Sequence, residues 1–224
     1  IYAFGSNKYL TSMSIPNGVV STGGVIFHNS QALTTVSIGT GLTNLGQQDF
    51  AWIRTLTAIN VDAANNSYAS IDGVLYSKDI SVLRAYPANK AGTSYIAPST
   101  VTSTAYTVFG AAANLITVDL STVTSLVGQE FHSSTSIQEV IFGNSLEGLS
   151  SQLFQSASAL RKVTFGTGLT TISNGSFYAN DRLYCIIYAG SNSIIQNYSY
   201  PNGVVPVTSS SNCLANPAIT LSNS

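Results

Sequence analysis

Leu33-Thr34-Thr35-Val36-Ser37-Ile38, then Gly39-Thr40-Gly41, then Leu42-Thr43-Asn44-Leu45, and after a polar stretch Phe50, is the passage that decides the fold. Val36 and Ile38 alternate with Ser37 at the strand period of two, so the apolar pair points to one face and the serine to the other. Gly39-Thr40-Gly41 supplies turn residues that let the chain corner. Leu42 and Leu45 then enter the same interior from the next side, and Phe50 closes the coil. One such unit cannot bury its apolar side alone. Stacking copies about 4.8 Å apart pairs their strands in parallel and joins their interiors into one core.

The rest of the chain repeats the unit. Phe4, Phe27, Phe50, Phe109, Phe131, Phe154 and Phe177 are spaced by 23, 23, 59, 22, 23 and 23 residues. Leu10, Leu33, Leu56, Leu115, Ile137, Leu160 and Leu183 follow six residues behind with the same steps. A third series, Val19, Leu42, Val101, Val123, Leu146 and Leu169, stands eight residues before its Phe each time. The long step is therefore one insertion and not lost register. This phasing predicts eight coils, with inner strands at Met13–Ile15, Val36–Ile38, Ile59–Val61, Tyr95–Ala97, Val118–Leu120, Val140–Phe142, Val163–Phe165 and Ile186–Tyr188. In the insertion, about 62–94, Gly73-Val74-Leu75-Tyr76, Ser77-Lys78-Asp79 and Val82-Leu83-Arg84-Ala85-Tyr86 read as a β-hairpin ended by Pro87, projecting from or covering the solenoid. The period stops after Tyr188, so residues 1–188 are the repeat solenoid and 189–224 read as a C-terminal cap and a Ser/Asn-rich tail.

Composition bounds the function. With 224 residues and 44% hydrophobic content the chain can bury a continuous core. Only 8% of residues are charged and the formal net charge is −1, so no basic face exists to neutralise phosphates, and nucleic acid is not an expected partner. No apolar run approaches the roughly 18 residues of a transmembrane helix. The chain starts at Ile1 in mid-repeat, without initiator Met or signal peptide, and is read as a fragment of a longer protein. Two cysteines, Cys185 and Cys213, cannot form a structural zinc site alone. A bridge between them would contribute roughly 3 kcal/mol in the chain-entropy model and imply an oxidising compartment; two unrelated thiols are the alternative.

Met13-Ser14-Ile15-Pro16-Asn17-Gly18-Val19, Val123-Thr124-Ser125-Leu126 and Ala3-Phe4 resemble the BspA-like leucine-rich-repeat family, whose units run as a Leu-x-x-Val-x-Ile-Pro strand, a Val-Thr-Ser-Ile second side and an Ala-Phe turn. Tyr68-Ala69-Ser70-Ile71-Asp72-Gly73-Val74-Leu75-Tyr76-Ser77-Lys78-Asp79 with Tyr86-Pro87 looks like that family's long-repeat variant. The resemblance covers about residues 1–188; the chief departure is the replacement of Ala before most of the Phe positions. It implies a right-handed, strand-dominated leucine-rich-repeat solenoid, a curved parallel sheet on its concave face, short helical or 3-10 turns elsewhere, and one inserted β-hairpin. It also implies a secreted or cell-surface protein acting in adhesion or cell contact.

Candidate binding residues are the outward members of the inner strands: Thr35, Ser37, Asn60, Thr117, Asp119, Glu139, Lys162 and Thr164. Ser12, Ser14, Ala58, Ile141, Cys185 and Ile187 complete the ladder. Such a hydroxyl-rich concave face suits an extracellular protein or glycan. The plainer reading is a solvated sheet on which Glu139 and Lys162 form a cross-strand pair of small worth. Trp52, with Tyr68, Tyr76 and Tyr86, reads either as core under the hairpin or as an aromatic platform for a sugar or peptide. His28 and His132 each follow the Phe of their coil and read as surface histidines too distant to share a metal, so no metal site and no cofactor is expected. Asp119 and Glu139 on adjacent strands imitate a glycosidase carboxylate pair, though a solvated pair near Lys162 is the stronger reading. No nucleophile, base and acid fall within reach of one another, so no catalytic residue is assigned. Sequons begin at Asn65, Asn174 and Asn197. The leading expectation is a non-catalytic adhesion or ligand-binding module acting through the concave sheet or the inserted hairpin. A structural spacer or matrix subunit is the alternative, and a glycan-acting enzyme ranks third.

Overall fold

The computed structural model of the chain describes residues 3–190. Its strands are short: β1 (Ser12–Ile15), β2 (Thr35–Ile38), β3 (Ala58–Val61), β4 (Tyr68–Ile71), β5 (Val74–Ser77), β6 (Val82–Ala85), β7 (Ser94–Ile96), β8 (Ser103–Thr104), β9 (Thr117–Leu120), β10 (Glu139–Phe142), β11 (Gly148–Leu149), β12 (Lys162–Phe165), β13 (Thr171–Ile172) and β14 (Cys185–Tyr188). The eight inner strands β1, β2, β3, β7, β9, β10, β12 and β14 lie within a residue of the positions that the apolar period predicts. They pair in parallel with repeat register, Val36 beside Ile59 and Val140 beside Val163. The chain is a strand-dominated solenoid.

No helix occurs among the described residues, which corrects the expectation of helical or 3-10 turns. The reason lies in the backbone around each Phe. Residues two before and two after it turn left-handed: Val25 and Asn29 around Phe27, Gln48 and Trp52 around Phe50, Gln129 and Ser133 around Phe131, Gln152 and Ser156 around Phe154. A positive φ cannot be carried into a right-handed helix. Each non-glycine residue so held costs about 1 kcal/mol. Hydrogen bonds to the next coil offset that cost, as where the Phe109, Phe131 and Phe154 amides donate to the Glu130, Leu153 and Ser176 carbonyls.

The inner sheet is not continuous. β1, β2 and β3 form one sheet; β7, β9, β10, β12 and β14 form another. Between them the insertion is more than the expected hairpin. β5 does pair antiparallel with β6, but β4 pairs antiparallel with β5 as well, making a three-stranded meander. Nor does it project: β6 continues in parallel into β8, the Ile59 amide donates to the Gly73 carbonyl, and the Val61 amide donates to Ser70 Oγ. The alternating Tyr68-Ala69-Ser70-Ile71 carries the signal of the third strand.

The meander is a wall with a core on each side. Tyr68, Leu75 and Ala85 belong to the first core, with Phe27, Leu33, Val36 and Leu42. Val74, Tyr76, Leu83 and Tyr86 belong to the second, with Phe109, Phe131, Phe154 and Val140. Within each core the Phe rings stack, at 5.8 Å from Phe4 to Phe27 and 5.9 Å on to Phe50, then 5.0, 5.0 and 5.4 Å along Phe109, Phe131, Phe154 and Phe177. A buried ring contributes about 2–3 kcal/mol by transfer from water, and a ring pair about 1 kcal/mol more.

Candidate functional site

Strand alternation sends Val36 and Ile38 inward and Ser37 outward, and parallel register then aligns the outward residues of successive coils. On the first sheet Ser14 stands beside Ser37 and Ser37 beside Asn60. All three are exposed, and among the described residues none makes a side-chain hydrogen bond. The row, about 4.8 Å per step, borders a shallow concavity of about 330 Å³ that Asn17, Gly39 and Asp62 also line. Thr35, one row over between Ser12 and Ala58, is half-buried.

The outward face of the second sheet is chemically different. Thr117 lies between Ser94 and Glu139, and Asp119 between Ile96 and Ile141. Glu139 meets Lys162 at 2.6 Å, a cross-strand ion pair whose side chains are 29% and 34% exposed, which keeps its worth below about 1 kcal/mol. Asp119 faces Ile141 in the register, and its carboxylate accepts the Ser121 amide at 2.8 Å to close its own turn. Asp119 and Glu139 are thus each occupied and are not brought together as an acid pair. Thr164, beside Ile141 and Ile187, is half-buried. Ile96, 72% exposed, gives this strip an apolar row that the first sheet lacks. Cys185, expected to face outward, is buried. Its proposed partner Cys213 lies outside the described residues, as do most of the expected cap and the sequon at Asn197.

The aromatic residues of the insertion are spent on packing. Tyr68, Tyr76 and Tyr86 are buried. The Tyr68 hydroxyl accepts the Leu45 amide at 2.9 Å, and the Tyr76 and Tyr95 hydroxyls stand 3.0 Å apart. Burial pushes the Tyr86 hydroxyl up to about 12, and raises those of Tyr76 and Tyr95 as well. No ring face is left for a ligand. Trp52 is half-buried, and its ring makes edge contacts with both His28, at 5.0 Å, and His132, at 5.8 Å. The two histidines expected to lie apart are therefore joined through one indole. The coil between them is Gly110-Ala111-Ala112, small enough at every position for Trp52 to reach across. Burial lowers the pKa of His132, whose Nδ1 lies 3.0 Å from Ser133 Oγ. Asn65 is buried, with both side-chain ends bonded, so this sequon is closed; Asn174 is exposed.

Two buried carboxylates were not singled out from sequence. Asp49 and Glu130 each precede a Phe, where other coils carry Ile26, Val108 or Leu153. Asp49 accepts from Thr22 Oγ1 and the Ile26 amide; burial raises its pKa, and these bonds oppose the rise. Glu130 accepts from Thr104 Oγ1, the Gly128 amide and Ser150 Oγ at 3.1, 2.8 and 2.8 Å, tying three coils together. An acidic residue in an otherwise apolar column was the available signal. No group of three or more His, Cys, Asp and Glu side chains suited to a metal occurs among the described residues, and they contain no helix long and apolar enough to cross a membrane.

A family model described as the BspA type leucine-rich-repeat region matches residues 1–81 and 85–203, in six copies. Among solved structures, a leucine-rich repeat protein from Eubacterium ventriosum superposes with a TM-score of 0.78 at 25% identity, over 84% of this chain and 50% of that one. A leucine-rich cell surface protein from Faecalibacterium prausnitzii gives 0.66 at 23% identity, over 80% and 53%. The pneumococcal vaccine antigen PcpA gives 0.66 at 20%, over 87% and 62%. The latter two show the fold alone, and the chain spans only half to three-fifths of the length of these neighbours. No curated protein matches it.

Proposed function

This chain belongs to the BspA-type leucine-rich-repeat family, and on that footing we propose that it is a non-catalytic binding module of a secreted or cell-surface protein, recognising an extracellular protein or glycan. The observation that carries the reading is the Ser14, Ser37 and Asn60 row: exposed polar groups, set in register and left without internal partners, along a concavity of about 330 Å³. Polar groups held at fixed spacing on a rigid sheet lose little entropy when a ligand binds. The second strip, where Glu139 and Lys162 satisfy each other, has less to offer a polar partner. The surface location draws support from the Faecalibacterium neighbour, described as a cell surface protein. A Cys185–Cys213 bridge belongs to the same reading, because it needs an oxidising compartment. Intact mass before and after reduction, with alkylation, tests it; two freely alkylated thiols in unreduced protein would remove it.

The test of recognition is binding of purified protein to arrays of extracellular-matrix proteins, cell-surface extracts and glycans, beside Ser37→Arg and Thr164→Arg. Both positions face outward, so folding survives. The reading predicts that Ser37→Arg abolishes binding and Thr164→Arg spares it. The reverse pattern would move recognition to the second sheet, and no binding by the parent protein would contradict a binding role.

A further inference from the structure

At regular coil steps the turn around one Phe donates amides forward to the next coil: Phe4 to the Ile26 carbonyl, Phe109 to Glu130, Phe131 to Leu153, Phe154 to Ser176, and at the Phe27 step Val25 to Gln47, without the Phe27 amide itself. At the step from Phe50 to Phe109 none of these bonds forms. The amides of Gln48, Phe50 and Trp52 have no acceptor among the described residues, although the turn is built as elsewhere, with Gln48 and Trp52 left-handed. The corresponding acceptors on the next coil are the Tyr106, Val108 and Gly110 carbonyls; the Tyr86 amide takes Val108, the Thr107 hydroxyl donates to Tyr106 at 2.8 Å, and no amide reaches Tyr106 or Gly110. The meander holds the coils apart here and leaves a cavity of about 220 Å³. Phe50, which stacks on one face only, is half-buried against it, whereas Phe27, Phe109 and Phe131 are fully buried.

Arg84 of β6 lines the same cavity. Its guanidinium stands 6.0 Å from the centre of the Tyr68 ring, and among the described residues it makes no hydrogen bond or ion pair. Asp49 also lines the cavity, and its carboxylate accepts from Thr22 Oγ1 and the Ile26 amide and not from Arg84. One wall therefore presents donors, the Gln48 and Phe50 amides with the Arg84 fork, and the other presents the Gly110 carbonyl and, shared with the Thr107 hydroxyl, that of Tyr106. Amides of successive turn residues and a guanidinium are the groups that bind carboxylates. Carbonyls need hydroxyl donors, and a half-exposed ring suits the C–H face of a sugar. The volume falls below the roughly 300 Å³ at which drug-sized pockets begin, so the occupant is one small unit.

We propose that the break between the two stacks is a binding site for a small hydroxylated carboxylate of the size and chemistry of a uronic-acid monosaccharide. Sodium glucuronate and glucose are the probes, titrated into the isotope-labelled protein while amide resonances are followed. Glucuronate shifts the Gln48 and Phe50 amides and leaves those of Phe131 and Phe154 in place, while glucose binds at least tenfold more weakly. Arg84→Gln weakens glucuronate at least tenfold without disturbing the remaining spectrum. Arg84→Lys, which keeps the charge and loses the fork, binds between the two. Absence of shifts at Gln48 and Phe50, equal binding of glucose, or unchanged affinity in Arg84→Gln would each overturn the assignment.

Discussion

Within either stack one coil follows the next after 22 or 23 residues, and three things coincide: strands pair, Phe rings stack, and turn amides bond forward. Between Phe50 and Phe109, 59 residues apart, direct pairing of inner strands and the turn-to-turn amide bonds are both gone, and the meander joins the two sides by packing and by its own backbone bonds, Ile59 to Gly73 on one side and Tyr86 to Val108 and β6 to β8 on the other. The contrast separates two components of solenoid stability that elsewhere arrive together. Apolar burial tolerates a change of neighbour, because Leu75 and Tyr76 present side chains to opposite cores as well as another coil would. Backbone hydrogen bonding is kept only in part: β6 pairs with β8 and the Tyr86 amide takes the Val108 carbonyl, while the antiparallel meander leaves the Gln48, Phe50 and Trp52 amides without acceptors among the described residues.

The same substitution on each side of that contrast gives its largest test. Phe131→Ala, which removes a fully buried ring stacked on both faces, should cost about 3–5 kcal/mol in urea unfolding. Phe50→Ala, stacked on one face and half-buried, should cost about half as much. Equal costs would mean that the junction is packed as tightly as a regular step.

Coil spacing itself comes next. Gly18 and Gly41 occupy the same repeat position one coil apart; a Cβ on Gly41 would overlap the Asn17 carbonyl, while one on Gly18 would meet nothing within 4 Å. Gly41→Ala should therefore destabilise by about 1–3 kcal/mol, and Gly18→Ala by a few tenths. Smaller still is the left-handed turn. Gly175, at φ +72°, holds a place where other coils strain Gln129 or Gln152. Gly175→Ala should cost about 1 kcal/mol, and Ala179→Gly should gain somewhat less because it also loosens the unfolded chain.

Asp49 gives a pH signature. Its folded pKa is raised, chiefly by burial, so just above the ordinary carboxylate pKa the folded chain keeps a proton that the unfolded chain releases. Stability then falls as pH rises through that window and levels off above the folded pKa. Subtracting the Asp49→Asn profile from that of the parent should isolate this fall; a difference that is flat with pH would contradict it. The Glu139–Lys162 pair should be the least of these effects, a coupling of 0.2–1 kcal/mol in a double-mutant cycle, shrinking with salt.

The period, the inner strands and the position of the insertion were legible in the sequence because they rest on apolar spacing, which one chain displays directly. The row at Ser37 and Asn60 was legible for the same reason, being the other half of strand alternation. What escaped depends on neighbours. Gln48, Trp52 and Gln129 are not residues that signal a positive φ; around Phe131 the next coil accepts the turn's amides, whereas the turn around Phe50 keeps the same left-handed residues without such acceptors. Asp49 and Glu130 are held by Thr22, Thr104 and Ser150, which come from other coils and are not adjacent to them in sequence. The split of the inner sheet depended on the meander being a wall and not a projection, which alternation in Tyr68–Ile71 alone could not decide.

The most direct test of the break is native-state hydrogen exchange on equivalent turn amides. Phe109, Phe131 and Phe154 should exchange slowly, and Gln48, Phe50 and Trp52 should exchange orders of magnitude faster, as amides without acceptors do. Equal protection of the two groups would show the ladder to be unbroken, and the division of this solenoid into two stacks would fall with it.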